Sequence, residues 1–435
     1  MTEMMGRRAF GAMLAGTCFS TMLPAPGLAA TGDRKRLAAA LDTWLARIVD
    51  NGWVSGAAVR IEKAGAAPLT RLHGFADREA RTPLGESTIY RIYSMTKPVT
   101  AACMMTLVED GKVALDQPVR ELLPEWSDPQ VLVRFDGDKP VTEPAKRPIT
   151  VRHLLTHTSG LSESFNKGFE PSADLYHRIG LIAGQFRPAL GITSLKRYSE
   201  VLATIPLAFQ PGEKWLYSSG LEVAGRVIEA ASGRDYESYL RARLLQPLGM
   251  ADTHFALPAS KRPRLAAMYV GSPDGKTARL NPPMIPAWGE DSVIPMGGSG
   301  LFSTLGDYTR FAQMLIGRGR LGRARVLRAE SVTAMMTNQL PPALGDMPLS
   351  AAARFGLGGE VKGLGFGLGG SVLVDPAAAG GMGHRGEYAW GGAASTTFWV
   401  DPVTRTSVVL MTQKLPSGIH PLRDELRRLV YGRLP

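Results

Sequence analysis

Cysteine is almost missing from this chain: Cys18 and Cys103 are the only two in 435 residues. Cys18 falls in a leader-like N-terminus, so the processed chain would keep one thiol and no internal disulfide, and Cys103 reads as a small core residue of an apolar helix face. No Gly-x-Ser-x-Gly occurs, which argues against the α/β-hydrolase way of presenting a nucleophilic serine. No His-Glu-x-x-His occurs either. His153 and His157 stand at i and i+4 without a further ligand cluster, so core and hydrogen-bonding roles are expected, and no metal or other cofactor is implied. Gly297-Gly298-Ser299-Gly300-Leu301 lacks the lysine and spacing of a phosphate loop and reads as a tight turn lining a cleft. The formal charge is +11, yet Lys and Arg are scattered among Asp and Glu. With no basic run interleaved with aromatics, nucleic acid is not an expected partner. Internal repeats and low-complexity tracts are absent.

The N-terminus carries an address. Arg7-Arg8-Ala9-Phe10 is a twin-arginine pair followed by a moderately apolar stretch to Leu23 and small residues at Gly27-Leu28-Ala29-Ala30. That stretch is too short and too rich in Gly, Ala and Thr for a membrane span. Residues 1–30 are therefore expected to be a signal peptide cleaved after Ala29 or Ala30, with export of the folded chain to a bacterial periplasm and no membrane attachment afterwards. The remainder, at 44% hydrophobic and 20% charged residues overall, has enough apolar side chains for a sizeable core.

Leu37, Leu41, Trp44, Leu45 and Ile48 share one helical face between Arg36 and Asn51, before Gly52 stops the run. Strands are expected at Gly56–Lys63 and Leu69–Phe75, and again at Ala393–Val400 and Thr406–Gln413, the last two joined through Asp401-Pro402-Val403-Thr404. A short basic amphipathic helix from Ile419 to Leu434 closes the chain. Strands at both ends with helices between them predict an α+β fold: one antiparallel sheet built from residues 31–90 and 341–435, flanked by the terminal helices, with a largely helical lobe at 91–340. Irregular loops are expected near Pro129–Pro148, Phe165–Ile192 and Ala256–Gly298, placed to roof a cleft.

The chemistry centres on Tyr90-Arg91-Ile92-Tyr93-Ser94-Met95-Thr96-Lys97. It reads as an extended approach, a serine at the mouth of a helix and a lysine one turn in, with Val99, Cys103, Leu107 and Val108 recurring until Gly111. Ser94 and Lys97, at i and i+3, share a face. A serine hydroxyl needs a base to become a nucleophile, and helix-terminal N–H groups would receive the oxyanion formed when it attacks an acyl carbon. Ser-x-x-K alone is weak, since composition yields roughly one chance match in a chain like this. A second match, Ser164-Phe165-Asn166-Lys167, is followed by no apolar periodicity and is not expected to be catalytic.

Five segments in order carry a resemblance: Ser94 to Lys97, His153-Leu154-Leu155-Thr156-His157-Thr158-Ser159-Gly160-Leu161, Pro211 to Ser219, Gly297 to Thr304, and Gly383 to Gly392. Together they resemble the serine beta-lactamase-related family, which includes class C beta-lactamases, D-alanyl-D-alanine peptidases and esterases of the same fold, over about Val54 to Gln413. The resemblance implies that Tyr217 stands beside Ser94 and Lys97 and takes part in moving the serine proton. Two motifs depart from the lactamase pattern. Tyr-x-Asn reads Tyr217-Ser218-Ser219, so Ser219 offers a hydroxyl in place of a carboxamide, and recognition of beta-lactams is put in doubt. Lys-Thr-Gly is replaced by His384-Arg385-Gly386 or by Trp390-Gly391-Gly392, the latter similar to the esterase branch. In that reading Gly391 and Gly392 let the strand backbone approach the substrate, with the Gly392 N–H as second oxyanion donor beside that of Ser94. Trp390 belongs to the substrate-binding set, and His384 and Arg385 help hold a carboxylate or a polar leaving group.

The expected function is hydrolysis through an acyl-enzyme, with small acyl esters favoured over beta-lactams or D-amino-acid peptides. A non-catalytic member that binds peptidoglycan fragments or another protein is the alternative from a different class. The substrate partner is then a small-molecule ester or amide, while the sequence leaves the oligomeric state open.

Overall fold

The computed structural model describes residues 27–182, 185–272, 275–280, 294–345, 347 and 362–432. Most of the expected signal peptide lies outside them. Its last residues, from Gly27, fall within the first helix, α1 (Gly27–Asp50), which begins nine residues before the Arg36 read from the apolar periodicity. None of the helices among the described residues is long and apolar enough to cross a membrane.

Eight strands form one antiparallel sheet: β1 (Gly56–Lys63), β2 (Leu69–Asp77), β3 (Thr82–Pro83), β4 (Leu364–Phe366), β5 (Ser371–Leu373), β6 (Tyr388–Gly391), β7 (Thr397–Asp401) and β8 (Thr406–Met411), in the order β4-β5-β6-β7-β8-β1-β2-β3. The β1–β8 pair joins the two ends of the chain, with Val59 opposite Leu410 and Arg60 opposite Val409. The α+β class and the sheet built from both ends are therefore as the sequence predicts.

Both faces of the central strands are covered, so β7 and β8 are buried at every residue. On one face Val59, Trp399, Val408 and Leu410 meet α1 through Leu41, Trp44, Leu45 and Ile48, and meet the last helix, α5 (Leu422–Val430), through Leu422, Leu426 and Leu429. The other face, with Phe398, Val400, Val409 and Met411, carries the larger core. That core includes α2 (Thr96–Glu109), α3 (Gly220–Ser232) and α4 (Leu305–Ile316). The result is a layered architecture in which each apolar surface is shielded by another element.

The structure departs from the sequence reading in four places. The stretch expected to be a loop near Pro129–Pro148 contains a β-hairpin, Gln130–Asp136 paired with Lys139–Pro144. Asp136 faces Lys139 across Gly137 and Asp138, and Gly137 at φ +55° supplies the left-handed residue that such a tight turn needs. Similarly, Phe165–Ile192 holds a short helix at Ala173–Ile179, and Ala256–Gly298 holds strands Tyr269–Gly271 and Thr277–Arg279. Strand β7 starts at Thr397 and not Ala393, because residues 392–396 close a turn in which Gly392 N–H donates to Thr396 O and Ser395 takes φ +68°.

Helix α5 is a cover held by three leucines, and Leu426 has no exposed surface. Truncating it to alanine is expected to cost about 2–5 kcal/mol. A lowered urea midpoint with an unchanged m-value would agree with this, whereas an unaltered midpoint would mean that α5 is not part of the cooperative core.

Candidate active site

The serine lies on a strained turn. A single 3-10 turn, Tyr93–Met95, precedes α2, so Ser94 sits just ahead of the helix mouth and Lys97 is the second helical residue. Buried Tyr93 has φ +45°, a conformation rarely taken by a bulky residue. Several contacts hold it there. Ile89–Arg91 pairs with Phe302–Thr304, Ile92 N–H donates to Leu301 O, and Tyr308 OH donates to Met95 O at 2.8 Å. Gln413, just past β8, closes a double hydrogen bond with the backbone of Arg91, 3.0 Å each way. The position of the serine is thereby tied to the central sheet.

Helix α2 differs from the one-sided helix that its spacing suggests. Every residue from Thr96 to Leu107 is buried, and only Val108 and Glu109 begin to emerge. It is a core helix, buried almost all round, with Thr96, Lys97, Thr100 and Thr106 among its covered residues. Cys103 is buried within it, and burial pushes its thiol well above the usual range. Gly111, at φ +69°, follows the C-terminal end.

Tyr217 approaches from the other side, just before α3. Its hydroxyl lies 2.6 Å from Ser94 Oγ. Lys97 Nζ is 3.4 Å from Ser94 Oγ, donates to Gly298 O at 2.7 Å, and stands 4.5 Å from the centre of the Tyr217 ring. The three predicted residues, drawn from distant parts of the chain, therefore meet. The phenol ring is clamped: Trp390 stacks on it at 5.8 Å and 16°, His157 lies 4.6 Å away, and Asn166 Nδ2 donates to Tyr217 O at 3.0 Å. His157 is fully buried, and burial together with the Lys97 charge keeps its imidazole neutral. Its Nδ1 accepts from Ser218 N–H at 3.2 Å. His153 caps the helix Val151–Leu155, its Nδ1 accepting from Thr150 N–H.

Other expected site residues are placed differently. Ser219 is fully buried, and its hydroxyl donates to Glu163 Oε1 at 2.6 Å while accepting from Tyr198 OH at 3.1 Å. It belongs to a polar cluster behind Tyr217 and does not hold substrate. His384 is bonded to Asp401 Oδ2 at 2.7 Å. Because Gly391 pairs with Thr397 and Asp401 ends the same strand, His384 is at the far end of β6–β7 from the serine. Trp390 is buried and supports Tyr217.

The two glycines admit protein, not substrate. A methyl group on Gly391 would stand 2.4 Å from the guanidinium of Arg423, and one on Gly392 would stand 2.4 Å from Ile92 O. Gly392 N–H is already committed to Thr396 O, so it is not the second oxyanion donor. The next residue, Ala393, is exposed. Among the described residues, neither its N–H nor that of Ser94 donates to a backbone acceptor. In the second Ser-x-x-K match, Ser164 is buried in a 3-10 turn and Lys167 is exposed.

Several contributors had no sequence signal. Arg423, from the basic C-terminal helix, turns inward and donates to Gly392 O and Thr396 O, both at 2.8 Å. Burial lowers its guanidinium to about 10. Glu163 and Glu222 are buried close to Lys97, and burial raises both; Glu163, which also feels the Glu222 charge, reaches about 7. Among the described residues no cluster of His, Cys, Asp and Glu could hold a metal ion.

A sequence model of the family described as Beta-lactamase matches residues 41–432. Esterase EstB of Burkholderia gladioli is 33% identical over 419 residues, covering 92% of this chain and 97% of that protein. Among solved structures, EstCE1, described as a hydrolase with promiscuous acyltransferase activity, has a TM-score of 0.75 at 26% identity and covers 92% of this chain and 100% of that one. Unliganded simvastatin synthase (LovD) from Aspergillus terreus has a TM-score of 0.78 at 27% identity, covering 91% of this chain and 97% of that one. With a match running through almost all of the described residues, the chain belongs to the beta-lactamase family.

Proposed function

We propose that this hydrolase acts on small acyl esters through an acyl-enzyme on Ser94. The observation that carries the reading is the 2.6 Å contact between Ser94 Oγ and Tyr217 OH, with the Lys97 ammonium 4.5 Å from the ring that bears that hydroxyl. The phenol oxygen is the polar group within hydrogen-bond reach of Ser94 Oγ, so Tyr217 takes the serine proton as Ser94 attacks the acyl carbon. The oxyanion that forms is received by the N–H groups of Ser94 and Ala393. Tyr217 returns the proton to the departing alkoxide, the alcohol leaves, and water, deprotonated in the same way, releases the acid.

Esters are favoured over amides because the place of the family's asparagine holds Ser219, whose hydroxyl is engaged by Glu163 and Tyr198. No side-chain amide stands at that position to grip an acylamide. The kinship with EstB points the same way, and that with EstCE1 suggests that an alcohol can replace water in the second step. The twin-arginine sequence at Arg7-Arg8 supports export to the periplasm.

Ser94→Ala should lower kcat by about three orders of magnitude or more. Tyr217→Phe, which keeps the ring and removes the hydroxyl, should lower it about 10²–10⁴-fold. Turnover of p-nitrophenyl butyrate at wild-type rate by either variant would refute the assignment. In a panel of that ester, a chromogenic cephalosporin and a D-alanyl peptide, kcat/KM should be highest for the ester; preference for either amide would overturn the substrate class. For export, the wild type should appear in a periplasmic fraction and the Arg7→Lys/Arg8→Lys variant should stay in the cytoplasm. Equal distribution of both would refute a twin-arginine route.

A further inference from the structure

Lys97 is a buried ammonium, and among the described residues no carboxylate lies within ion-pair distance of it. Its direct partners are a carbonyl, a hydroxyl and a ring. A full charge held in that setting calls for an opposite charge close by. The carboxylate of Glu222 sits on the other side of the backbone that Lys97 touches. It arises from the first turn of α3, five residues after Tyr217, and is almost wholly buried. A methyl group on Gly298 would stand 2.2 and 2.5 Å from its two oxygens, so the glycine backbone lies directly on the carboxylate. Backbone N–H groups of Glu222 and Gly298 point at it, while Gly298 O accepts from Lys97 Nζ. Glu222 Oε2 has no hydrogen-bond partner among the described residues.

We propose that Glu222 is a positioning residue of the catalytic set: acting through the Gly297–Gly298 backbone, its carboxylate is the counter-charge that holds the Lys97 side chain turned toward Ser94 and Tyr217. The proposal rests on the reading of Ser94 as nucleophile. Gly297 is fixed in the same manner, its O accepting from Thr100 Oγ1 at 2.5 Å, and a methyl group on it would stand 2.3 Å from Leu221 O. The loop is thus gripped between α2 and α3. The other ionisable groups facing this cluster are Glu163 and, further out, Tyr198, Tyr176 and Tyr236, with His157 on the Lys97 side. Burial pushes all three tyrosines well up, so they remain neutral. Glu163 is the one other acid in contact with the cluster. Burial and the Glu222 charge push its carboxyl up to about 7.

The test is the pH dependence of Ser94 labelling by a fluorophosphonate probe. Removing a nearby negative charge makes it easier for the proton shared by the serine, lysine and phenol to leave. In Glu222→Gln the acid limb of the labelling rate should therefore move to lower pH by about half a unit to one unit. Glu163→Gln should move it less, and loss of the buried counter-charge should also lower the thermal midpoint of Glu222→Gln. Should Glu222→Gln not fold, Glu222→Asp, with the carboxylate drawn back by one methylene, should shift the limb in the same direction by a smaller amount. A purely structural role would lower the midpoint and leave the limb in place. An unmoved limb in a folded variant, with the wild type labelled normally, would overturn the proposal alone; a wild type that is not labelled at all would sink the nucleophile assignment and this proposal with it.

Discussion

The constraint on which the structure turns is the burial of a charge. Lys97 belongs to a helix that is buried from Thr96 to Leu107, and such a helix is built to exclude water on all sides. An ammonium placed there must find replacements for its hydration, and each replacement recruits a different part of the chain. Gly298 O comes from the loop before Phe302–Thr304, the phenol ring comes from the approach to α3, and the serine comes from the turn ahead of α2. One cation is thus satisfied by three segments that strand pairing and the Ser94–Tyr217 hydrogen bond also hold together. It is also the reason Gly298 cannot carry a side chain, since its Cα is wedged against the Glu222 carboxylate.

A second constraint acts on the serine. The left-handed backbone of Tyr93 costs of the order of 1–3 kcal/mol, and the surroundings offset that cost with an over-determined set of contacts. Gln413 is central to them. It is the second residue beyond β8, so its two hydrogen bonds to Arg91 transfer the rigidity of a strand buried on both faces to a turn of three residues. On the neighbouring hairpin Arg423 does comparable work. It reaches through the space that Gly391 leaves open and holds the carbonyls of Gly392 and Thr396, fixing the turn that presents Ala393. A sheet covered by helices on both faces serves here as a frame against which Ser94 and Ala393, the proposed nucleophile and oxyanion donor, keep their separation.

The sheet, its mixed origin from both ends of the chain and the three central residues were legible in the sequence because each leaves a local mark. Alternation marks the strands, and Ser94, Lys97 and Tyr217 lie in segments with recognisable neighbours. What was not legible depends on where a side chain is sent by tertiary packing. Arg423 and Glu222 look like ordinary charges on amphipathic helices, and nothing within α5 or α3 says that one turns into the sheet and the other is covered by a glycine loop. Gly391 and Gly392 carried the right signal, close approach, but the sequence does not name the approaching group. It is Arg423 at one and the Ile92 backbone at the other. His384 misled for a related reason. Six residues along the chain from Trp390, it lies at the opposite end of the strand pair, bound to Asp401.

Burial decides which parts of this site can vary on one scaffold. The groups that make the nucleophile are anchored by buried contacts: the phenol between Trp390 and His157, the amine on Gly298, the serine on the Arg91–Gln413 bridge. None of these can be exchanged without disturbing the core. Ser219 is held as firmly, since its hydroxyl links Tyr198 and Glu163, two residues of the wall behind Tyr217. Replacing it by the asparagine of the lactamase pattern would add a longer side chain to a position with no exposed surface and would displace that cluster. The loss of the amide is therefore not an isolated substitution in an otherwise lactamase-like cleft. It goes together with a buried acid and a tyrosine that have closed over the space, and the proposed preference for esters rests on the packing as much as on the missing hydrogen bonds.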